Sequence, residues 1–164
     1  MKGRLNYEST NKNTDQNDHN HSRVHGGGSG VHDLGHTPFG HAGERFLNDI
    51  YHQRTGRYFA HNVQSVRILD AMFGRNLTLQ TLDGILCHNG EFELGEYRPS
   101  VAYDFAEFDR RVRSCEEGGD EMIRQLIPCT LEGCVVRVCD MIAYLGRDRQ
   151  DAQTAHIISD LNSF

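Results

Sequence analysis

The chain has 164 residues, 37% of them hydrophobic and 24% charged, and a formal net charge of −6. That length fits one domain of ordinary size, and the acidic balance argues against a general nucleic-acid binder, because phosphate affinity rests on clustered Lys and Arg. A small phosphate ligand stays open, since a bound metal ion can supply the positive charge.

No run of residues approaches the roughly 18 apolar positions of a membrane span. The polar, Asn-rich start does not read as a signal peptide. The expectation is a cytoplasmic protein without membrane contact. Five cysteines, Cys87, Cys115, Cys129, Cys134 and Cys139, form no CxxC pair. Their number and spacing suit reduced, mostly buried thiols rather than a zinc ribbon or a disulfide framework.

Residues 1–30 hold five Asn, three His and few apolar side chains, and they end in a Gly-Ser run. Such a stretch buries too little surface to offset its ordering entropy, so it reads as a disordered tail and linker. Residues 31–164 then form the folded part.

In chain order, a first helix runs from His41 to about His52, with Phe46, Leu47 and Ile50 on one side and Gly56 closing it. A second spans His61 to Phe73, with Val63, Val66, Ile68, Leu69 and Met72 around a buried face and Gly74 as its stop. Thr78 to His88 is a third, ended by Asn89-Gly90. Residues 92–102 are loop-like. Two helices follow at 104–114 and 119–127, broken at Gly118-Gly119. Thr130 can cap a long helix over 131–149, and a short helix near 151–161 ends the chain. No alternating strand pattern appears, so the class is all-α.

The densest chemical signal is residues 31–44, Val-His-Asp-Leu-Gly-His-Thr-Pro-Phe-Gly-His-Ala-Gly-Glu. His32 and Asp33 offer an imidazole and a carboxylate side by side, a donor pair suited to a borderline divalent metal. His36, His41 and Glu44 follow within one loop and the start of a helix. His41 and Glu44 are three apart and share a helical face. A carboxylate beside an imidazole can orient it and raise its basicity, as a general acid requires. The second signal is Asp140, Tyr144 and Asp148, whose steps of four keep them on one face of the long helix. Val135, Val138, Ile142 and Leu145 occupy the other face.

Residues 31–44 resemble the signature loop of the HD-domain deoxynucleoside triphosphate triphosphohydrolases. Residues 59–69 resemble that family's next motif, and the helix around Asp140 its closing one. The resemblance covers roughly 31–152. It implies an HD-domain helical bundle binding one divalent metal ion (Mn, Mg, Fe or Zn) through His32, Asp33 and Asp140. It further implies His41 and Glu44 as the catalytic pair, with His36, Tyr144 and Asp148 contacting the substrate's phosphates and sugar. The implied ligand is a deoxynucleoside triphosphate, split into deoxynucleoside and triphosphate, and the implied assembly is a homo-oligomer.

The departure from the family pattern lies upstream. The first metal histidine there sits on an apolar helix before the His-Asp pair. Here that region is the polar tail, where His19, His21 and His25 have no apolar setting. Two other readings therefore stand beside the first: an HD phosphohydrolase acting on another nucleotide, and a non-catalytic nucleotide-binding or assembly module. His61 reads as a structural histidine, and His88 as either a pocket edge or a plain helix end. Asn62, Gln64 and Arg67 are either pocket lining or an ordinary polar face.

Overall fold

The computed structural model of the protein describes residues 32–154 and His156, except Arg75 and Glu93, and does not describe the side chains of Arg147, Asp148 and Asp151. The 1–30 tail expected from sequence lies outside the described residues. Within them every regular element is helical. They are α1 (Gly40–Thr55), α2 (His61–Arg67), α3 (Leu79–Leu86), α4 (Phe105–Gly118), α5 (Asp120–Ile123) and α6 (Leu131–Thr154). The all-α expectation is met, and none of these helices is long and apolar enough to cross a membrane.

Four helix ends come where the sequence places them. Gly56 adopts the left-handed conformation and donates its N–H to His52 O, closing α1. The Thr78 side chain accepts from Thr81 N at the start of α3, and the Asp104 side chain accepts from Glu107 N at the start of α4. Thr130 Oγ1 accepts from Gly133 N at 3.0 Å, capping α6. The three side-chain bonds satisfy N–H groups that the helices leave unpaired at their starts, and the Gly56 bond satisfies a carbonyl at the end of α1.

Two expectations are corrected. Residues 61–73 are not one regular helix, because after Arg67 the chain widens into a π-helical turn over Ile68–Met72. Of the short last helix expected near 151–161, residues 151–154 instead continue α6, which runs unbroken to Thr154, and most of the remainder lies outside the described residues. Nothing between 149 and 151 breaks it, since the Arg-Gln-Asp run there holds no Gly or Pro.

Helix α3 is the centre of the bundle and packs against α2, α4 and α6. Its Leu82, Ile85 and Leu86 are buried together with Val63 and Val66 from α2, Leu69 from the π-helical turn, Phe108 and Cys115 from α4, and Ile123 and Leu126. Polar groups then tie the periphery to this core. The Asp83 carboxylate accepts from Cys129 N at 2.7 Å and from the Tyr103 hydroxyl, fixing the segment before α6. Arg137 is fully buried and donates to the carbonyls of Leu126 at 2.8 Å and Phe92 at 2.7 Å. A buried guanidinium needs such acceptors, and here they pin α6 one turn before Asp140.

The apolar faces of the outer helices are not covered. Helix α1 buries no residue, and Phe46 and Leu47 are exposed. On α6, Val135, Ile142 and Leu145 are also exposed. Their periodicity predicts the helices correctly but not their burial, because no other described element packs on those faces. Among the cysteines, Cys87, Cys115 and Cys134 are buried, Cys129 is half-buried, Cys139 is exposed, and all five are free thiols.

Candidate metal and nucleotide site

The His-Asp loop is held down by its backbone. Gly35 N donates to Ser65 Oγ at 2.8 Å, a buried bond to α2. A Cβ on Gly35 would collide with the α2 backbone at His61 O and Ser65 N. Only glycine permits this approach, which seats His32 and Asp33 against the N-terminal end of α2. Opposite, Gly90 N donates to Asp140 Oδ2 at 2.9 Å. A Cβ there would strike α6 at Met141 N. These two close contacts bring the loop, α2, the end of α3 and α6 to one point.

Asp33, His36, His41, Asp140 and Tyr144 all line one cavity of about 480 Å³. His41 also lines a second cavity of about 320 Å³, together with Glu44, Arg45, Asn48, Asn89 and Arg124. His32 stands beside the first cavity, with Nε2 3.5 Å from Asp33 Oδ2. The Tyr144 hydroxyl meets His41 Nε2 at 3.3 Å, joining residues 103 positions apart. Of the eight sequence-derived site residues, seven are thus placed around adjoining cavities. The side chain of Asp148 is outside the described residues.

The Glu44 carboxylate turns toward His61 rather than His41. Its Oε1 accepts from His61 N at 2.7 Å and lies 3.0 Å from His61 Nδ1. His41 and Glu44 remain in one group with His36 and His61, with donor atoms within 4.8 Å of one another. Burial of Glu44 pushes its pKa up, but the His61 ring and backbone N–H outweigh this, so it is lowered. Burial pulls His61 down, and the Glu44 carboxylate more than offsets that, so it is raised.

His61 and His88 are the site residues that sequence reasoning undervalued. Both are buried, and their Nε2 atoms lie 3.2 Å apart. His88 Nε2 is also 3.3 Å from Asp33 Oδ1. A second group of possible donors, His32, Asp33 and His88, results. The signal available was polar residues, His61-Asn62 and His88-Asn89, adjoining apolar helices where no surface was expected. Asn62 is instead structural: it is buried and donates to Leu86 O at 2.7 Å. Arg67 is exposed, while Gln64 is half-buried.

Asp33 is held at a pKa of about 2, first by its contact with His88, against the opposing effect of burial, and then by the charges of His32, His88 and His61. It is therefore a carboxylate at any neutral pH, as a metal ligand must be. Its Oδ1 is buried and takes no hydrogen bond. Tyr144 is raised, by burial first and then by the Asp140, Glu91, Asp33 and Glu44 carboxylates, so it stays a neutral phenol.

An all-α bundle with a loop-borne His-Asp pair, a distant Asp on a long helix, and His/Asp clusters able to hold a metal is the arrangement that the resemblance to HD-domain proteins implies. Comparison with known proteins points the same way. The chain is 36% identical over 132 residues to the deoxyguanosinetriphosphate triphosphohydrolase-like protein of Desulfatibacillum aliphaticivorans, matching 78% of this chain and 30% of that protein. It is 37% identical over 140 residues to the protein of that name from Rickettsia rickettsii, matching 81% of this chain and 32% of the relative. The Rickettsia felis protein gives 37% over 142 residues, with the same two shares. The homology is thus to deoxyguanosinetriphosphate triphosphohydrolase-like proteins at the family level, and the chain spans about a third of the length of the curated relatives it matches. No protein-family model matches the chain, and no solved structure matches it.

Proposed function

We propose that this chain is the metal-binding part of a phosphohydrolase that converts a deoxynucleoside triphosphate and water into a deoxynucleoside and triphosphate. The observation that carries the reading is the convergence of Asp33, His36, His41, Asp140 and Tyr144 on one cavity, from segments over 100 positions apart. The donor set fits a divalent ion. It combines imidazole and carboxylate, it has a carboxylate ionised at neutral pH, and it leaves Asp33 Oδ1 buried without a hydrogen-bond donor.

His32, Asp33 and Asp140 would hold the ion, with no ligand assigned from the tail. When bound, such an ion polarises a phosphoryl oxygen and makes water a stronger nucleophile. The chain's own residues do the rest. His36 and His41 line the cavity where the phosphates would lie. Water attacks the α-phosphorus, the bond to the sugar 5′ oxygen breaks, and His41 supplies the proton which that oxygen needs to leave. Glu44 lies close enough to steady the charge on His41, and through its bond to His61 it fixes the wall of the site. Tyr144 positions His41 through its hydroxyl and packs toward the deoxyribose, with Asp148 one turn further along α6. Arg45 and Arg124, in the adjoining cavity, are placed to meet the rest of the nucleotide.

A panel of deoxynucleoside triphosphates, with products separated by anion exchange, tests the reading. Triphosphate release, abolished by His41→Ala and by Asp140→Ala, is expected. Orthophosphate released from a nucleoside monophosphate instead would move the chain to another phosphohydrolase activity. Metal and nucleotide binding without any turnover would make it a binding module.

A further inference from the structure

We propose that the cavity lined by Asn48, Asn89 and Arg124 is a nucleobase subsite, and that the two asparagines select bases carrying an exocyclic amino group. The inference rests on the proposed function in taking that base from the nucleotide whose phosphates lie beside His36 and His41.

Each asparagine is pinned at one end by the protein, which decides what its other end offers. Asn48 Oδ1 accepts from Phe59 N at 2.8 Å. A backbone N–H only donates, so the oxygen must face it and Nδ2 stands at the other end. Asn89 is turned the opposite way. Its Nδ2 donates to Glu91 Oε1 at 3.1 Å. Its Oδ1 then has no donor among the described residues, although the residue is only 2% exposed. A buried acceptor in that state is destabilising until a donor meets it. Both asparagines line the cavity of about 320 Å³, which thus offers an amide donor from one side and an amide acceptor from the other.

The rest of the lining suits a flat ring. The Arg124 guanidinium sits 4.5 Å from the centre of the Phe92 ring, and both residues line the cavity. A planar base stacks well against a guanidinium held in this way. His41 lines both this cavity and the one holding Asp33 and His36, so a nucleotide with its phosphates in the second can place its base in the first. An exocyclic amine has two N–H groups. One can go to Asn89 Oδ1 and the other to the Glu91 carboxylate, which also lines the cavity. Adenine, cytosine and guanine each carry a ring-nitrogen acceptor next to that amine, which Asn48 Nδ2 can serve. Thymine instead has a single ring N–H between two carbonyls, and acceptors set against acceptors are penalised when water is excluded.

Free deoxynucleosides, which carry no phosphate, test the subsite on the full chain by ligand-observed NMR titration. Deoxyadenosine, deoxycytidine and deoxyguanosine are expected to bind roughly tenfold or more tightly than thymidine. Arg124→Ala, at an exposed position, should weaken all four. Asn89→Leu should bring the three amine-bearing nucleosides down to the level of thymidine and leave thymidine as it was. Equal binding of all four by the unaltered chain would overturn the selection whether or not Asn89→Leu folds. No binding of any of them at millimolar concentration would overturn the subsite and leave Asn89 Oδ1 to water alone. The expected ranking without triphosphate release from any deoxynucleoside triphosphate would support the subsite and count against the proposed activity alone. Triphosphate release at equal kcat/KM from all four, with no ranking among the nucleosides, would overturn the selection and leave the activity standing.

Discussion

Gly90 and Asp140 are joined by a hydrogen bond of 2.9 Å from the Gly90 N–H to Asp140 Oδ2, and the bare Cα of Gly90 lies against the α6 backbone at Met141. The bond aims the distal carboxylate into the site, and the missing side chain lets α6 come close enough to be aimed.

Gly90→Ala should therefore act on both stability and metal. The added methyl has no room without moving α6, and forced overpacking of this kind costs about 1–3 kcal/mol. Urea denaturation of the metal-free chain should show that loss. Mn2+ affinity should fall by more than stability alone accounts for, because Asp140 is displaced. An unchanged Mn2+ isotherm in a destabilised Gly90→Ala chain would show that the contact serves packing only.

Glycines elsewhere should respond in the opposite sense. Gly84 lies inside α3, and a Cβ there meets nothing within 4 Å. Gly84→Ala should stabilise the chain by about 0.5–1 kcal/mol through lost backbone freedom in the unfolded state. Gly35→Ala, driven into the α2 backbone, should destabilise it and release the His-Asp loop. Thermal melts of the two variants should move to opposite sides of the parent, and movement in the same direction would contradict the account of the loop.

The Glu44–His61 pair predicts a pH signature in the metal-free chain. His61 is raised by Glu44, so its contribution is fully present below its unfolded value of about 6.5 and is lost as pH rises through the folded value. Glu44 is lowered by His61, so its contribution is present above its unfolded value of about 4.3 and is lost as pH falls through the folded value. Glu44→Gln keeps an oxygen for the His61 N–H but removes the charge. It should destabilise by about 1–3 kcal/mol near pH 5.5, with a smaller deficit at pH 8.5. Urea midpoints at the two pH values decide it, and an equal deficit at both would remove charge from the explanation.

Local chemistry in the sequence carried most of the fold. Gly56, Thr78, Asp104 and Thr130 act at helix ends where their residue types predict. The end of α6 was misplaced because nothing in the sequence marks it, and the π-turn at Ile68–Met72 has no composition of its own. Burial was legible for α3, whose stripe of Leu82, Ile85 and Leu86 meets helices on three sides. It was not legible for Phe46 or Leu145, because periodicity says which residues share a face and not whether a partner covers it. The same limit explains the site. His32, Asp33, His36 and His41 are close in sequence, so their spacing pointed to chemistry. His88 comes to Asp33, and His61 to His88, where the close approaches at Gly35 and Gly90 let three segments touch, and one chain read in order does not display that.

Tyr144 offers the sharpest separation of chemistry from structure. Its hydroxyl reaches His41 Nε2 at 3.3 Å, and surrounding carboxylates together with burial keep it protonated. It can therefore donate to the neutral imidazole and accept from the charged one, so it holds His41 in line through a proton transfer. The ring is half-buried and, among the described residues, the hydroxyl has no hydrogen-bond partner to strand except His41. Tyr144→Phe should leave thermal stability within about 0.5 kcal/mol of the parent and Mn2+ stoichiometry unchanged. Loss of one hydrogen bond of about 1–1.5 kcal/mol in the reacting complex should lower kcat for triphosphate release roughly tenfold. Because Tyr144 acts through His41, adding Tyr144→Phe to His41→Ala should cost nothing further. A tenfold loss that persists in the His41→Ala background would instead assign the hydroxyl directly to the nucleotide.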